Sequence, residues 1–295
     1  MNREMSYLLG MICGNGEIRR RTYETTVSIE IPHKKLITEN NNDVRIYVRA
    51  SVVDIRTILE PLIGTGLNFI QQDNYSIVSF TKSNDEYLLR EIMRYVGNAV
   101  SHENIRIDDE VFSFTYDEKI SFLKGFSDVT GYIRRSNYFF KPYMHRVYLE
   151  IPHNWYLVSD ICRLLREVDI PVQSIDWAHP NMRDGNLVKY NQGKPDFWKK
   201  EHQIKIWANE FLPISFAVLH KKDALVKFAT ELIDGLKADN KIPKEITHKF
   251  YWESKGKNKI KPYHPCENDN FIPYEIRGKH YDSWKQIAKD LGYEK

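Results

Sequence analysis

The sequence predicts an α+β fold made of two pseudo-symmetric αββαββα repeats. Three observations carry that expectation. The 295 residues are enough for two domains of roughly 100 to 150 residues, each with its own core. The stretch LLGMICGNG, Leu8 to Gly16, returns as LKGFSDVTG, Leu123 to Gly131, so that Gly10 matches Gly125 and Gly16 matches Gly131. The same succession of helical and strand patterns then follows each copy.

Ser6 to Cys13 is apolar with small residues interspersed, Asn2 is placed to cap it, and Gly14 and Gly16 end it. GEIRRRTYETTVSIEIP, from Gly16, is rich in β-branched residues and reads as one long strand or a bent one, closed by the polar run TENNND. VRIYVRAS reads as a strand, and Val52, Ile55, Leu59 and Ile63 then recur at helical spacing. LNFIQQ and YSIVSFT form a strand pair through Asp73-Asn74, followed by the amphipathic helix DEYLLREIMRYVG.

The second half reads in the same order. EKISFLKGFSD is a helix, GYIRRSNYF and RVYLEIP are strands, and WYLVSDICRLLREV is a helix. PVQSIDW and QIKIWA are strands, and KKDALVKFATELIDGL closes the repeat. Gly16-x-Ile18-Arg19-Arg20 matches Gly131-x-Ile133-Arg134-Arg135, and Arg45 to Val48 is aligned with Arg146 to Leu149. That second alignment gives repeat one the longer first hairpin, while the insertion AHPNMRDGNLVKYNQGKPDFWKKEHQ lengthens repeat two where recognition loops usually lie. The resulting units are residues 1–115, 116–236 and a C-terminal extension, 237–295.

Charged residues at 28% and hydrophobic residues at 42% are ordinary for a folded soluble chain, and no apolar run approaches the ~18 residues of a membrane span. MNREMSYLLGMICG lacks a signal-peptide pattern, so the expectation is an intracellular protein with no membrane partner. Cys13, Cys162 and Cys266 are too few and too scattered for a disulfide framework. The net charge of +3 does not by itself demand a polyanion, although Lys241 to Lys261 concentrates seven lysines beside Phe250, Tyr251, Trp252 and Tyr263. His248, His264, Cys266 and His280 lack the spacing of a zinc site. There is no P-loop, G-x-S-x-G or H-E-x-x-H motif. The end of the chain, HYDSWKQIAKDLGY, reads as a helix.

Taken together, the two motifs and the order that follows them resemble the LAGLIDADG homing endonuclease family in its two-repeat, single-chain form. The resemblance covers roughly residues 1 to 236, with Leu8 to Gly16 and Leu123 to Gly131 filling the nine motif positions. It implies that the motif helices meet along a pseudo-two-fold axis, where Gly10, Gly14 and Gly125 let the backbones approach. It also implies a saddle of two antiparallel sheets that binds double-stranded DNA as a monomer. The candidate DNA-binding residues are then Arg19, Arg20, Arg21, Arg45, Arg49, Gln71, Arg134, Arg135, Gln173 and Lys205, reading base edges or holding phosphates.

The eighth motif position of each copy carries the family's metal-binding acid, and here it holds Asn15 and Thr130. Neutral oxygens do not replace the carboxylates that hold Mg2+, so the expectation is DNA binding with cleavage weakened or lost. The alternative is an active Mg2+-dependent endonuclease using Glu17 or Asp128 as substitute acids, with Asp128 as the metal ligand. A second alternative is a maturase-like partner of structured intron RNA, because a basic saddle selects polyanions generally.

Overall fold

The computed structural model describes residues 2–38, 43–97, 99–135, 142–152, 154–176, 201–239, 274–276 and 279–281. The first repeat runs α1 (Arg3–Asn15), β1 (Gly16–Arg20), β2 (Glu24–Pro32), a one-turn α2 (His33–Leu36), α3 (Val44–Ile63), β3 (Asn68–Gln71), β4 (Tyr75–Ser83) and α4 (Tyr87–Val96). The second runs α5 (Tyr116–Thr130), β5 (Gly131–Arg134), β6 (Arg146–Pro152), α6 (Trp155–Glu167), β7 (Ser174–Asp176), β8 (Glu201–Trp207) and α7 (Leu219–Ala238). A short hairpin, β9 (Tyr274–Ile276) with β10 (Lys279–Tyr281), follows. Among the described residues no helix is long and apolar enough to cross a membrane.

Each repeat forms a four-stranded antiparallel sheet, and the orders correspond: β1-β2-β4-β3 and β5-β6-β8-β7. Alternation along β2 puts Val27, Ile29 and Ile31 into the core and Thr26, Ser28 and Glu30 on the other face. One hydrophobic core runs unbroken through both repeats, from Val78 and Phe80 past Leu8 and Ile12 to Phe126 and Leu149.

The motif helices form the joint. Asn2 caps α1 by accepting from the Met5 N–H at 2.8 Å, while Thr115 and Glu118 form a reciprocal capping box on α5. A Cβ on Gly10 would collide with the Phe122 carbonyl oxygen and lie 2.8 Å from Phe126 N, and one on Gly125 would collide with the Tyr7 carbonyl oxygen. Tyr7 and Phe122 are themselves matched motif neighbours, so the contact is reciprocal. Gly14 makes room for the Val129 side chain, a large residue facing a missing one. Each helix then passes into its strand with no loop residue: a Cβ on Gly16 would stand 2.6 Å from Ile12 O, and one on Gly131 2.6 Å from Ser127 O.

Other bonds tie each repeat to the other. Asp54 on α3 accepts from the Leu219 N–H at 2.8 Å at the start of α7. Asp160, at the matching place on α6, takes the Arg106 guanidinium at 2.9 and 3.2 Å and the Ile107 N–H at 3.2 Å.

Four expectations are corrected. GEIRRRTYETTVSIEIP is a hairpin, β1 turning at residues 21–23 into β2, so it already supplies both of the repeat's first two strands. VRIYVRAS is helical: Asp43 caps the Arg45 and Ile46 N–H groups, and Val48, Ser51, Ile55, Leu59 and Ile63 form one buried stripe of α3. Arg45 and Arg49 therefore sit on the solvent side of a helix and not on a strand. The true counterpart of Arg146–Pro152 is β2, since Gly16 pairs with Ile29 as Gly131 pairs with Leu149. The longer first hairpin thus belongs to repeat two, and repeat one has instead the α2 connection between β2 and α3. The insertion up to residue 200 and most of the extension lie outside the described residues, while Glu201 to Gln203, the insertion's last three residues, open β8; His280 and Tyr281, assigned above to a terminal helix, are in β10.

Gly125→Ala is expected to lower stability by about 3 kcal/mol, since backbone blocks relaxation of the added methyl. Gly66→Ala, with nothing within 4 Å of its Cβ, should stay within ~0.5 kcal/mol. Urea midpoints compare the two, and equal losses would overturn the helix-contact account.

Candidate nucleic-acid interface

Register decides which strand side chains face away from the helices. On the first sheet the open face carries Glu17 opposite Ser28, Arg19 opposite Thr26, Thr26 opposite Thr81, Ser28 opposite Ser79 and Glu30 opposite Ile77. It is a surface of hydroxyls, with Thr26 and Thr81 Oγ1 2.8 Å apart, and one cation, Arg19, held by Glu17 at 3.0 and 3.3 Å. The face is not basic, contrary to the general picture of a cationic saddle.

The other DNA-binding candidates divide. Arg20 pairs with Thr25 on the helix-covered side and donates to Gly97 O at 2.6 Å, so it cannot reach the groove face. Gln71 pairs with the buried Ser76 and also points to the helix side. Arg21 lies in the hairpin turn, bonded to Glu24 at 3.1 Å. Arg134 is exposed on the open side of the second sheet, and Arg135, one residue on, is exposed with its guanidinium over the Phe228 ring.

Gln173 and Lys205 are buried, at 6% and 8% exposure, and so is the whole β6 stretch Arg146–Ile151 on both faces. Gln173 accepts from Arg146 at 3.0 Å, and the Arg146 guanidinium lies over the Trp207 and Tyr148 rings. The two sheets share one topology and differ in accessibility.

At the helix ends the eighth motif positions hold neutral side chains with structural partners. Asn15 is half-buried and donates to the Glu30 carbonyl at 2.6 Å. Thr130 is buried, its hydroxyl donating back to Phe126 O at 2.7 Å. Asp128, proposed above as a substitute acid and metal ligand, is fully enclosed: Oδ2 accepts from Tyr7 at 2.8 Å and from the Ala217 N–H at 3.0 Å, and Oδ1 faces Lys221 at 3.6 Å. Burial raises its pKa against the pull of Lys221, and burial lowers the Lys221 ammonium to about 8. That carboxylate fastens α1, α5 and α7 together and is out of reach of a metal at the surface. Glu17 remains exposed, paired with Arg19. Among the described residues no group of three or more His, Cys, Asp or Glu side chains is placed to hold a metal ion. With neutral donors at both motif positions, the donor set does not fit Mg2+.

Sequence reasoning missed the charged cluster beside these ends. Glu150 on β6 accepts from Lys34 at 2.9 Å, from Lys35, from Tyr132 at 3.0 Å and from Gln203 at 2.9 Å. Both lysines come from α2 of the opposite repeat. Burial alone would raise the Glu150 carboxyl, but Lys35 and Lys34 outweigh it and hold it well below the usual carboxylate range. Its counterpart, Glu30, is exposed next to Asn15. A signal was present: Glu-Ile-Pro-His occurs at 30–33 and again at 150–153.

No protein-family model and no curated protein matches the chain. Among solved structures it is similar to I-DmoI in complex with DNA and Mn, at 16% identity over 69% of this chain and 89% of that one, with a TM-score of 0.37. It is similar also to mesophilic variants of the homing endonuclease I-DmoI, at 16% identity over 71% and 88%, TM-score 0.38. I-DmoI in complex with DNA and Ca matches at 14% over 71% and 85%, TM-score 0.37.

Lys35→Met is expected to lower stability by about 2 kcal/mol at neutral pH, because Glu150 keeps only the half-exposed Lys34 as a cation. The depressed Glu150 pKa contributes stability that is complete above the ordinary glutamate pKa of ~4.3 and is lost as pH falls below it. The gap between wild type and variant should therefore narrow in urea titrations at pH 3 relative to pH 7; a gap that widens on acidification contradicts the assignment.

Proposed function

We propose that the chain is a LAGLIDADG-type protein that binds double-stranded DNA as a monomer, through the open face of its first sheet and the exposed arginines beside the second, with phosphodiester cleavage weakened or lost. The observation that carries this reading is the reciprocal contact of the two glycine-bearing motif helices between sheets of identical strand order. That joint sets two antiparallel sheets beside one another within a single chain, and each motif ends at the first strand of its own sheet. A twisted antiparallel surface of this kind fits a major groove and reads base edges from alternate residues.

The first sheet supports base contact more than phosphate contact. Thr26, Ser28, Ser79 and Thr81 can each donate or accept, whereas Arg19 is already paired with Glu17 and shares its surface with Glu30. Phosphate contacts then fall to the rim, where Arg21, Arg134 and Arg135 are exposed. Loss of cleavage rests on Asn15 and Thr130, whose side chains are engaged by Glu30 O and Phe126 O, and on the enclosure of Asp128.

Selection of bound duplexes from a random pool, followed by incubation of the winner with Mg2+ or Mn2+, tests the reading. The expected result is a site-specific complex without double-strand breaks, and Asn15→Asp alone should not restore them, since Thr130 remains neutral. Site-specific double-strand cleavage by the wild-type chain would refute the loss of activity. A preference for structured RNA over every selected duplex would refute DNA recognition.

A further inference from the structure

Arg45 and Arg49, expected on a strand, stand on the solvent side of α3 and take no part in either sheet surface. Aliphatic side chains share that side with them: Ile46 is 62% exposed and Val53 60%. Together with Ala50 and Thr57, which are also exposed, they recur at spacings of four, three and four, so the four residues stay in line along about three turns. The buried stripe from Val48 to Ile63 occupies the opposite side of the helix. Thus α3 packs against the core with one face and carries a second, narrower apolar seam on the other.

The two edges of the seam differ. Along one, the start of α7 is fixed: Tyr47 meets His220 edge-on with ring centroids 5.0 Å apart, and Asp54 accepts the Leu219 N–H at 2.8 Å. This brings Leu219, itself 58% exposed, to the border. Along the other edge stand Arg45, Arg49 and Arg56, each one position before a seam residue. Arg56 is paired with Glu60 at 3.0 Å, whereas Arg45 and Arg49 have no ion-pair partner among the described residues.

We propose that this face docks an acidic amphipathic helix of a partner protein. Alternating spacings of three and four are those of the seam between two packed helices, and the positions flanking such a seam choose the partner by charge. Two unpaired guanidinium groups on one edge select carboxylates. A stripe one residue wide is narrower than the apolar face with which a helix lies on a lipid surface. Its apolar members are aliphatic and offer no ring for a base to stack on, so RNA would gain from the arginines alone. A second copy of the chain brings no acidic edge, because Glu60 is taken by Arg56 and Asp54 by the start of α7. The lysine-rich run from Lys241 to Lys261 carries the same sign as the arginines. An acidic helix from another protein supplies both the apolar contacts and the opposite charge.

The test titrates the full chain by fluorescence anisotropy against two designed four-heptad peptides, both with Leu at the seam positions, one with Glu and one with Lys on the flanks. Wild type should bind the Glu peptide about tenfold more tightly than the Lys peptide. Val53→Glu and Arg49→Glu should each lose about tenfold for the Glu peptide, Arg49→Glu should gain for the Lys peptide, and Arg49→Lys should retain binding. Lys227→Glu, an equal charge change on the exposed side of α7, should alter neither. Because α3 is outside the groove surface, duplex affinity measured in parallel should be the same in Val53→Glu as in wild type, and failure to bind duplex leaves the peptide result standing. Equal affinity of wild type, Val53→Glu and Arg49→Glu for the Glu peptide overturns the proposal. So does a structured RNA hairpin that binds in an Arg49-dependent way while neither peptide does, which assigns the face to RNA. A dimer in sedimentation that Val53→Glu abolishes assigns it to a second copy and equally overturns the proposal.

Discussion

Everything distinctive in this molecule depends on two backbones being allowed to touch. Gly10 lies against the Phe122 carbonyl and Gly125 against that of Tyr7, and any side chain at either place would have to displace main chain. Because the contact is reciprocal, it sets the positions of both helix ends at once. Those ends in turn begin β1 and β5 without a loop, so the placement of each sheet is inherited directly from the helix joint. Small residues here do the work that larger interfaces accomplish by area, since close packing gains dispersion contacts along the full helix length.

Much of this architecture was legible in the sequence because it is written in local chemistry. The glycines, the Asn2 cap and the apolar periodicity of α4, α6 and α7 depend only on neighbours along the chain. What was not legible depends on register and on turn position. In GEIRRRTYETTVSIEIP nothing but the unpaired residues 21–23 marks the turn, and a hairpin read as one strand leaves the repeat a strand short. VRIYVRAS then fills the vacancy, its alternation mimicking a strand although Asp43 and the stripe from Val48 to Ile63 make it helical. The misplacement of Arg45 and Arg49 follows from that single error. Arg20 and Gln71 illustrate the other limit, since the face of a strand residue flips with each position. Asp128 and Glu150 show a third: a carboxylate buried against a lysine from a distant element looks, in sequence, like any other acid.

At the helix ends neutral side chains meet main chain, and the buried charges lie elsewhere. Asn15 and Thr130 satisfy main-chain carbonyls, and the charges nearby are spent on tying elements together. Lys221 with Asp128 fastens α7 to the motif helices, while Lys34 and Lys35 close on Glu150. Buried pairs of this kind contribute little when complete and cost much when one member is removed, so they constrain which parts can be exchanged.

The α2 turn shows what that constraint means for the pairing of the two halves. Repeat one alone supplies Lys34 and Lys35, and repeat two alone supplies the carboxylate they neutralise. Two copies of the second repeat, set face to face, would bring two bare glutamates to the seam, and two copies of the first would bring four lysines to an exposed pair of Glu30 residues. Neither half is self-complementary at this contact, as a homodimer would require. The lysines of one half and the carboxylate of the other make the two halves complementary at this seam and not interchangeable.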